Sequence, residues 1–199
     1  MERTTVFLIR HGLTDAVGRH LVSRTPGIHL NADGRAQAER VRDRLASRRV
    51  DAIYSSPIER AFESAEPLAA SRSLPITIAE GLIEVDFGEW TGLSFEDLAG
   101  RSDWRRFNDA RSTAVVPGGE RPSDVQSRIV TTLDDLRKRH EGESIAVVSH
   151  ADVIRSAVLH VARTSLDHWY RFEISPGSIT TITYEVNGVA RLVGVNDVP

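Results

Sequence analysis

Three short apolar runs, each followed by a stretch of helical periodicity, constrain this chain more than any other feature. Val6 to Ile9 ends at Arg10-His11-Gly12, Asp51 to Tyr54 is stopped by Ser55-Ser56-Pro57, and Ile145 to Val148 ends at Ser149-His150. Runs of this length, rich in strand formers and closed by polar or turn residues, read as buried strands. Behind Asn31 or Asp33, either of which can cap a helix, Ala38, Val41 and Leu45 recur at helical spacing. A second helix is expected from Ile58 to about Arg72, then a shorter strand at Ile76 to Ile78. Val125, Ile129, Leu133 and Leu136 mark a helix from Asp124 to about His140, and another runs from Ala151 or Asp152 to about Ala162. Ile179 to Glu185 and Val189 to Val195 form a hairpin around Asn187-Gly188, a strong turn signal. Strands alternating with helices predict an α/β fold, a three-layer α/β/α sandwich with a mostly parallel sheet.

In such sheets ligands bind beyond the carboxyl ends of the strands. Arg10, His11, the Ser55-Ser56-Pro57 loop and His150 all fall at such ends. The stretch from Glu84 to Glu120 differs from the rest, with five glycines among Trp90, Trp104 and Phe107. It reads as loops and short helices forming a cap, about residues 87–120, over one end of the sheet. With no repeat or linker in view, residues 1–199 are expected to form a single domain.

Composition removes several classes of function. The chain has no cysteine, which excludes disulfides, thiolate metal sites and cysteine nucleophiles. A net charge of −3 gives no reason to expect nucleic acid. No apolar run approaches the roughly 18 residues of a membrane span, and Val6 to Ile9 is too short for a signal-peptide core. The expectation is cytoplasmic residence with no membrane partner. Of the 25 basic residues only Lys138 is a lysine, so an anion site must use Arg, His and backbone N–H groups. Arginine's planar fork suits phosphate oxygens.

Arg10, His11, Arg60, Glu84 and His150 make up the inventory that phosphoryl transfer without metal requires. Such a site needs cations and donors for the oxygens, a nucleophile, and an acid for the leaving group, and two arginines, two histidines and a carboxylate satisfy that set. Backbone N–H groups at the start of the helix after His150 add anion affinity. Signatures of rival chemistries are absent: no Gly-Lys-Ser/Thr phosphate loop, no Gly-x-Ser-x-Gly elbow and no Asp-x-Asp pair.

The residues from Leu8 to Thr14 resemble the L-x-R-H-G-E-T signature of the histidine phosphatase superfamily, which includes the cofactor-dependent phosphoglycerate mutases and many small phosphatases. Ser55 to Ala61 is similar to its S-S-P-x-x-R-A element, Leu82 to Gly92 to L-x-E-x-x-F-G-x-W-E-G, and Val147 to Arg155 to V-x-H-G-x-x-I-R. Pro117-Gly118-Gly119-Glu120 resembles a turn of the phosphatase branch. The resemblance implies a phosphoglycerate mutase-like fold, neither metal nor cofactor, and a small phosphorylated substrate. It implies that His11 attacks phosphorus, that Arg10, Arg60 and His150 cradle the phosphoryl oxygens, and that Glu84 is the acid and then the base.

Three positions depart from the pattern. Leu13 stands for the family's Glu, Val17 for an Asn that can reach the phosphate, and Ala151 for a Gly. Thr14 or Thr25 is expected to compensate for Val17, and Phe87 to touch substrate where mutases typically have Tyr. His20 and His29 lie in the loop after His11, within possible reach of substrate. His140, His160 and His168 are read as surface or packing residues, and Trp90 as cap core. Trp104, Arg105, Arg106 and Phe107 are candidates for the entrance.

Hydrolysis of a small metabolite is the first expectation. A phosphoglycerate mutase-like phosphomutase comes second, less favoured because the segment between Glu84 and His150 is short for that branch. A non-catalytic phosphometabolite-binding module comes third. Sugar phosphates, phosphoglycerate derivatives and a cobalamin-precursor phosphate fit equally, and the C-terminal hairpin offers an edge strand on which a homodimer could form.

Overall fold

The computed structural model describes residues 3–199. Strand β1 (Thr4–Arg10) leads through a loop to helix α1 (Ala32–Arg44), followed by β2 (Ala52–Ser55), α2 (Glu59–Arg72) and the short β3 (Ile76–Ile78). Between Leu82 and Pro122 come a 3-10 turn and two short helices, α3 (Phe95–Ala99) and α4 (Ser102–Asp109). Then follow α5 (Pro122–Arg139), β4 (Ser144–Ser149), α6 (Ala151–Val161), a 3-10 turn (Leu166–Arg171) and the strands β5 (Ile179–Tyr184) and β6 (Ala190–Asp197).

The strands form one sheet in the order β3-β2-β4-β1-β5-β6. The first four are mutually parallel, while β5 and β6 run antiparallel at one edge. Alternation along β1 shows why the sheet carries helices on both faces. Val6 and Leu8 pack with Ile145 and Val147 against α5, α6 and the segment between Leu82 and Pro122. Phe7 and Ile9 pack with Ala146 and Val148 against α1 and α2. The expected α/β/α sandwich is therefore the observed one. Trp90 lies in the first of these cores, wholly buried.

Local chemistry sets the helix starts. Asn31 rather than Asp33 caps α1, its side chain accepting from the Gly34 N–H at 2.9 Å. The hairpin closes with a three-residue loop in which the Gly188 N–H donates to the Glu185 carbonyl and Gly188 is left-handed. Among the described residues no helix is long and apolar enough to cross a membrane.

Register places the strand ends level with one another. Arg10 pairs with Ser149 across β1 and β4, and Ser55 with Val148 across β2 and β4. The His11 N–H donates to the Ser149 carbonyl at 3.0 Å, and the Ser56 N–H to the Val148 carbonyl at 3.0 Å. Three loops thus leave the sheet side by side.

Candidate active site

A cavity of about 280 Å³ opens above these strand ends, lined by Arg10, His11, Thr14, Val17, Arg60 and Glu84 and walled by residues including Phe87, Phe95, Trp104 and Arg111. That size suits a small metabolite. His11 follows the last residue of β1. Its loop is locked onto α1 and α2: the Gly12 N–H donates to Ser64 Oγ at 3.0 Å, and the Leu13 N–H to Gln37 Oε1 at 2.8 Å. A Cβ on Gly12 would collide with the Gly34 carbonyl, so glycine alone fits this close approach.

The His11 imidazole has a defined tautomer. Nδ1 lies 2.7 Å from the Gly12 carbonyl, which can only accept, so Nδ1 carries the proton. Nε2 is left with its lone pair, and Arg60 Nε donates to it at 3.3 Å. Burial, then Arg60 and Arg10, hold the His11 pKa well below that of a free imidazole. The ring is neutral, its Nε2 lone pair accepting from the Arg60 guanidinium while the charge of Arg10 also acts on it.

Those guanidiniums are held from behind. Arg10 Nη1 donates to the Ile174 carbonyl at 2.6 Å, and Arg60 Nη2 to the Ser23 carbonyl at 2.8 Å. Arg10 Nε, Arg60 Nη1 and Thr14 Oγ1 are buried yet have no hydrogen-bond partner among the described residues. Unpaired buried donors around one cavity fit an anion. Burial lowers the pKa of both arginines, Arg10 to about 10. His150 is fully buried at the start of α6. Its Nε2 is 2.8 Å from Ser56 Oγ, and its Nδ1 lies 3.4 Å from Arg60 Nη2 and 3.7 Å from Glu84 Oε2. Burial, then His11 and the arginines, depress its pKa well below the ordinary value.

Glu84 sits on an extended segment outside the sheet, held by side chains. Arg24 Nε and Arg128 Nη2 donate to its carbonyl at 2.8 and 3.2 Å. Ser23 Oγ donates to the Val85 carbonyl at 2.8 Å and accepts from the Phe87 N–H at 3.1 Å. Glu120 ties both arginines to the Asp86 N–H. Burial, followed by the charge of Asp152, raises the Glu84 carboxyl to about 7, while Arg60 and Arg10 oppose the rise. A carboxyl poised there can give and take a proton near neutrality.

The structure brings Arg10, His11, Arg60, Glu84 and His150 together: the first four line the cavity with Thr14 and Phe87, while His150 is buried behind them against Arg60 and Glu84. Thr25 is not among its lining residues, because the turn closed by the Thr25 N–H to the Val22 carbonyl puts Ser23 there instead. His20 lines the cavity, whereas His29 pairs with Glu63 away from it. Of the entrance candidates only Trp104 lines it; Phe107 is buried beneath, and Arg105 and Arg106 lie elsewhere. His140 bridges Tyr54 and Glu143 as a packing residue. Sequence reasoning missed Ser23, Asn108, Arg111, Asp152, Arg155 as a wall residue, and Trp169.

Fold and cavity together define an α/β protein whose parallel strands end at a cavity lined by arginines and by a neutral histidine that follows the first strand. The model of the histidine phosphatase superfamily (branch 1) matches residues 6–198, and the chain belongs to that family. It is 28% identical over 184 residues to phosphoserine phosphatase 1 of Hydrogenobacter thermophilus, covering 90% of this chain and 86% of that one. It is 30% identical over 171 residues to the metal-independent phosphoserine phosphatase of Arabidopsis thaliana, covering 82% and 71%. Among solved structures, Bacillus stearothermophilus YhfR superposes with a TM-score of 0.92 at 30% identity, covering 98% of each chain.

Proposed function

We propose that this phosphoric monoester hydrolase of the histidine phosphatase type works through a phosphohistidine on His11. The observation that carries the reading is the His11 tautomer, with the Nε2 lone pair against Arg60 in a cavity that Arg10 also lines. Nε2 attacks phosphorus as the ester P–O bond breaks, and Glu84 gives its proton to the departing oxygen. Arg10, Arg60 and His150 bind the phosphoryl oxygens and offset their developing charge. Water then attacks the phosphohistidine, its proton goes to the Glu84 carboxylate, the N–P bond breaks, and phosphate leaves. Thr14, with its unpartnered buried hydroxyl, substitutes for the donor missing at Val17, and Phe87 contacts the substrate.

Two phosphatases among the relatives favour hydrolysis over return of the phosphoryl group to substrate. Residues 1–199 would act as one catalytic domain with the segment 87–120 as its cap, resident in the cytoplasm. β6, with Val193 on its exposed edge, is the proposed contact of a homodimer.

The test is rapid quenching with a 32P-labelled phosphate ester. Wild type should yield acid-labile, base-stable labelled protein, and His11→Ala none. Turnover by His11→Ala at the wild-type rate would refute the reading. Efficient isomerisation of 3-phosphoglycerate with negligible phosphate release would make the enzyme a mutase.

A further inference from the structure

One side chain at the strand ends has no part in this mechanism. Ser56 follows β2 and is wholly buried. Its main chain is fixed on both sides, the N–H by the Val148 carbonyl at 3.0 Å and the carbonyl by the Ser55 hydroxyl at 2.9 Å. The Ser56 hydroxyl therefore has a set place. Its Oγ accepts from the Ile58 N–H at 3.3 Å and lies 2.8 Å from His150 Nε2. Among the described residues it has no other hydrogen-bond partner.

This contact determines where His150 carries its proton. Burial, then His11 and the arginines, keep the ring neutral, so one hydrogen serves two nitrogens. Nε2 faces Ser56, while Nδ1 faces Arg60 and Glu84, both of which line the cavity. With the proton on Nε2 the ring would donate to Ser56, whose own hydroxyl hydrogen would then be buried without an acceptor. With the proton on Nδ1 the hydroxyl donates to Nε2, and Ser56 is satisfied as donor and acceptor alike. The competing donor is Arg60 Nη2, but it is 3.4 Å from Nδ1 and already donates to the Ser23 carbonyl at 2.8 Å. The shorter contact prevails. We infer that Ser56 is a positioning residue that holds the His150 proton on Nδ1, so that a neutral imidazole donates a hydrogen bond to the phosphoryl group. The two rings, with centres 5.1 Å apart, then do opposite things. The Gly12 carbonyl leaves His11 with a lone pair on its far nitrogen, and the Ser56 hydroxyl leaves His150 with a proton on its far nitrogen.

The inference rests on the phosphatase reading, but the tautomer is measured without substrate. Long-range proton–nitrogen NMR at pH 8, on protein carrying 15N-histidine, reads it directly once the His150 signals are assigned by their loss in His150→Gln. Wild type should show a protonated, pyrrole-type Nδ1 and a bare, pyridine-type Nε2. In Ser56→Ala only Arg60 remains to donate to the ring, and the proton should move to Nε2. With it, kcat/KM for p-nitrophenyl phosphate should fall by about 10–100-fold, the worth of one hydrogen bond to a charged group. Ser56→Thr, which keeps the hydroxyl, should keep the wild-type tautomer. A proton on Nε2 in wild type, with the ester still hydrolysed, overturns the inference and leaves the phosphatase reading intact. So does a Ser56→Ala protein that retains the wild-type tautomer or the wild-type kcat/KM. A wild type that hydrolyses no phosphate ester removes the phosphatase reading, and the phosphoryl group as the partner of Nδ1 goes with it. Because the first measurement uses wild-type Ser56, a variant that misfolds there does not shield the proposal.

Discussion

Replacing Glu84 with glutamine should make the protein more stable and less active, and pH should show both effects. Raising a carboxyl from its ordinary 4.5 to about 7 disfavours its ionised form in the folded state by roughly 3 kcal/mol. Below pH 4.5 the group is protonated in folded and unfolded chains alike, and wild type and Glu84→Gln should differ little. As pH rises towards 7 the unfolded chain releases a proton that the folded one retains, so wild type loses stability through that window. Above 7 the loss is complete, and a neutral amide avoids it. At pH 8 the variant should therefore be more stable by roughly 3 kcal/mol, about 6–12 °C in Tm for a chain of this size. Urea denaturation of both proteins at pH 4.5, 6, 7 and 8 measures the difference directly. Turnover of an alkyl phosphate by Glu84→Gln should fall by about 10²–10⁴, and much less for p-nitrophenyl phosphate, whose phenolate leaves without a proton. Wild-type kcat/KM should decline above about pH 7, where the acid is ionised in the free enzyme. A stability difference that stays flat from pH 4.5 to 8 would show that Glu84 is not held protonated by its surroundings, and the acid role would lose its physical basis.

Arg60→Met removes the guanidinium charge and the unpartnered Nη1 donor that the mechanism assigns to the phosphoryl group, and should lower kcat/KM by about 10²–10⁴, read by steady-state kinetics beside a melting curve that reports folding. Ser23→Ala breaks the hydroxyl bridge between Val85 and Phe87; it should cost about 1–3 kcal/mol in urea denaturation and lower kcat, because the Glu84 segment loses a tether. Incubation with EDTA followed by assay in EDTA should leave the rate unchanged, since each role in the proposed mechanism is filled by a side chain. Reversible loss of activity in EDTA would require a different mechanism.

The parts of the site legible in the sequence are those that secondary structure alone delivers. Arg10, His11, Ser56 and His150 end strands whose parallel register makes them neighbours, and alternating apolar runs announce those strands. Arg60 follows because it lies in the first turn of the helix leaving β2. Glu84 is different: its segment has neither helical nor strand period, and only the resemblance singles it out among Glu84, Asp86 and Glu89. Nothing local marks Ser23 or Arg111, since each acts through partners distant in the chain, such as Arg111 with Asp152. Thr25 shows the limit from the other side. Ser23 holds a left-handed backbone with φ 48°, an unusual conformation for serine, and that turn decides which hydroxyl meets the cavity.

The lining of Arg10 by the C-terminal part of the chain has a consequence for synthesis. The Arg10 side chain is anchored on the Ile174 carbonyl, its N–H donates to Ser178, and the Gly177 N–H donates to the carbonyls of Arg10 and His11. Arg10 and His11 are translated well before the groups that fix them, Ile174 lying 164 residues further along the chain than Arg10. A nascent chain bearing β1 to β4 therefore has His11 but lacks the groups that anchor Arg10 beside it. Hydrolytic activity should switch on only once the segment from Ile174 to Ser178 has left the ribosome and β5 has zipped onto β1, so that unfinished chains cannot turn over phosphate esters.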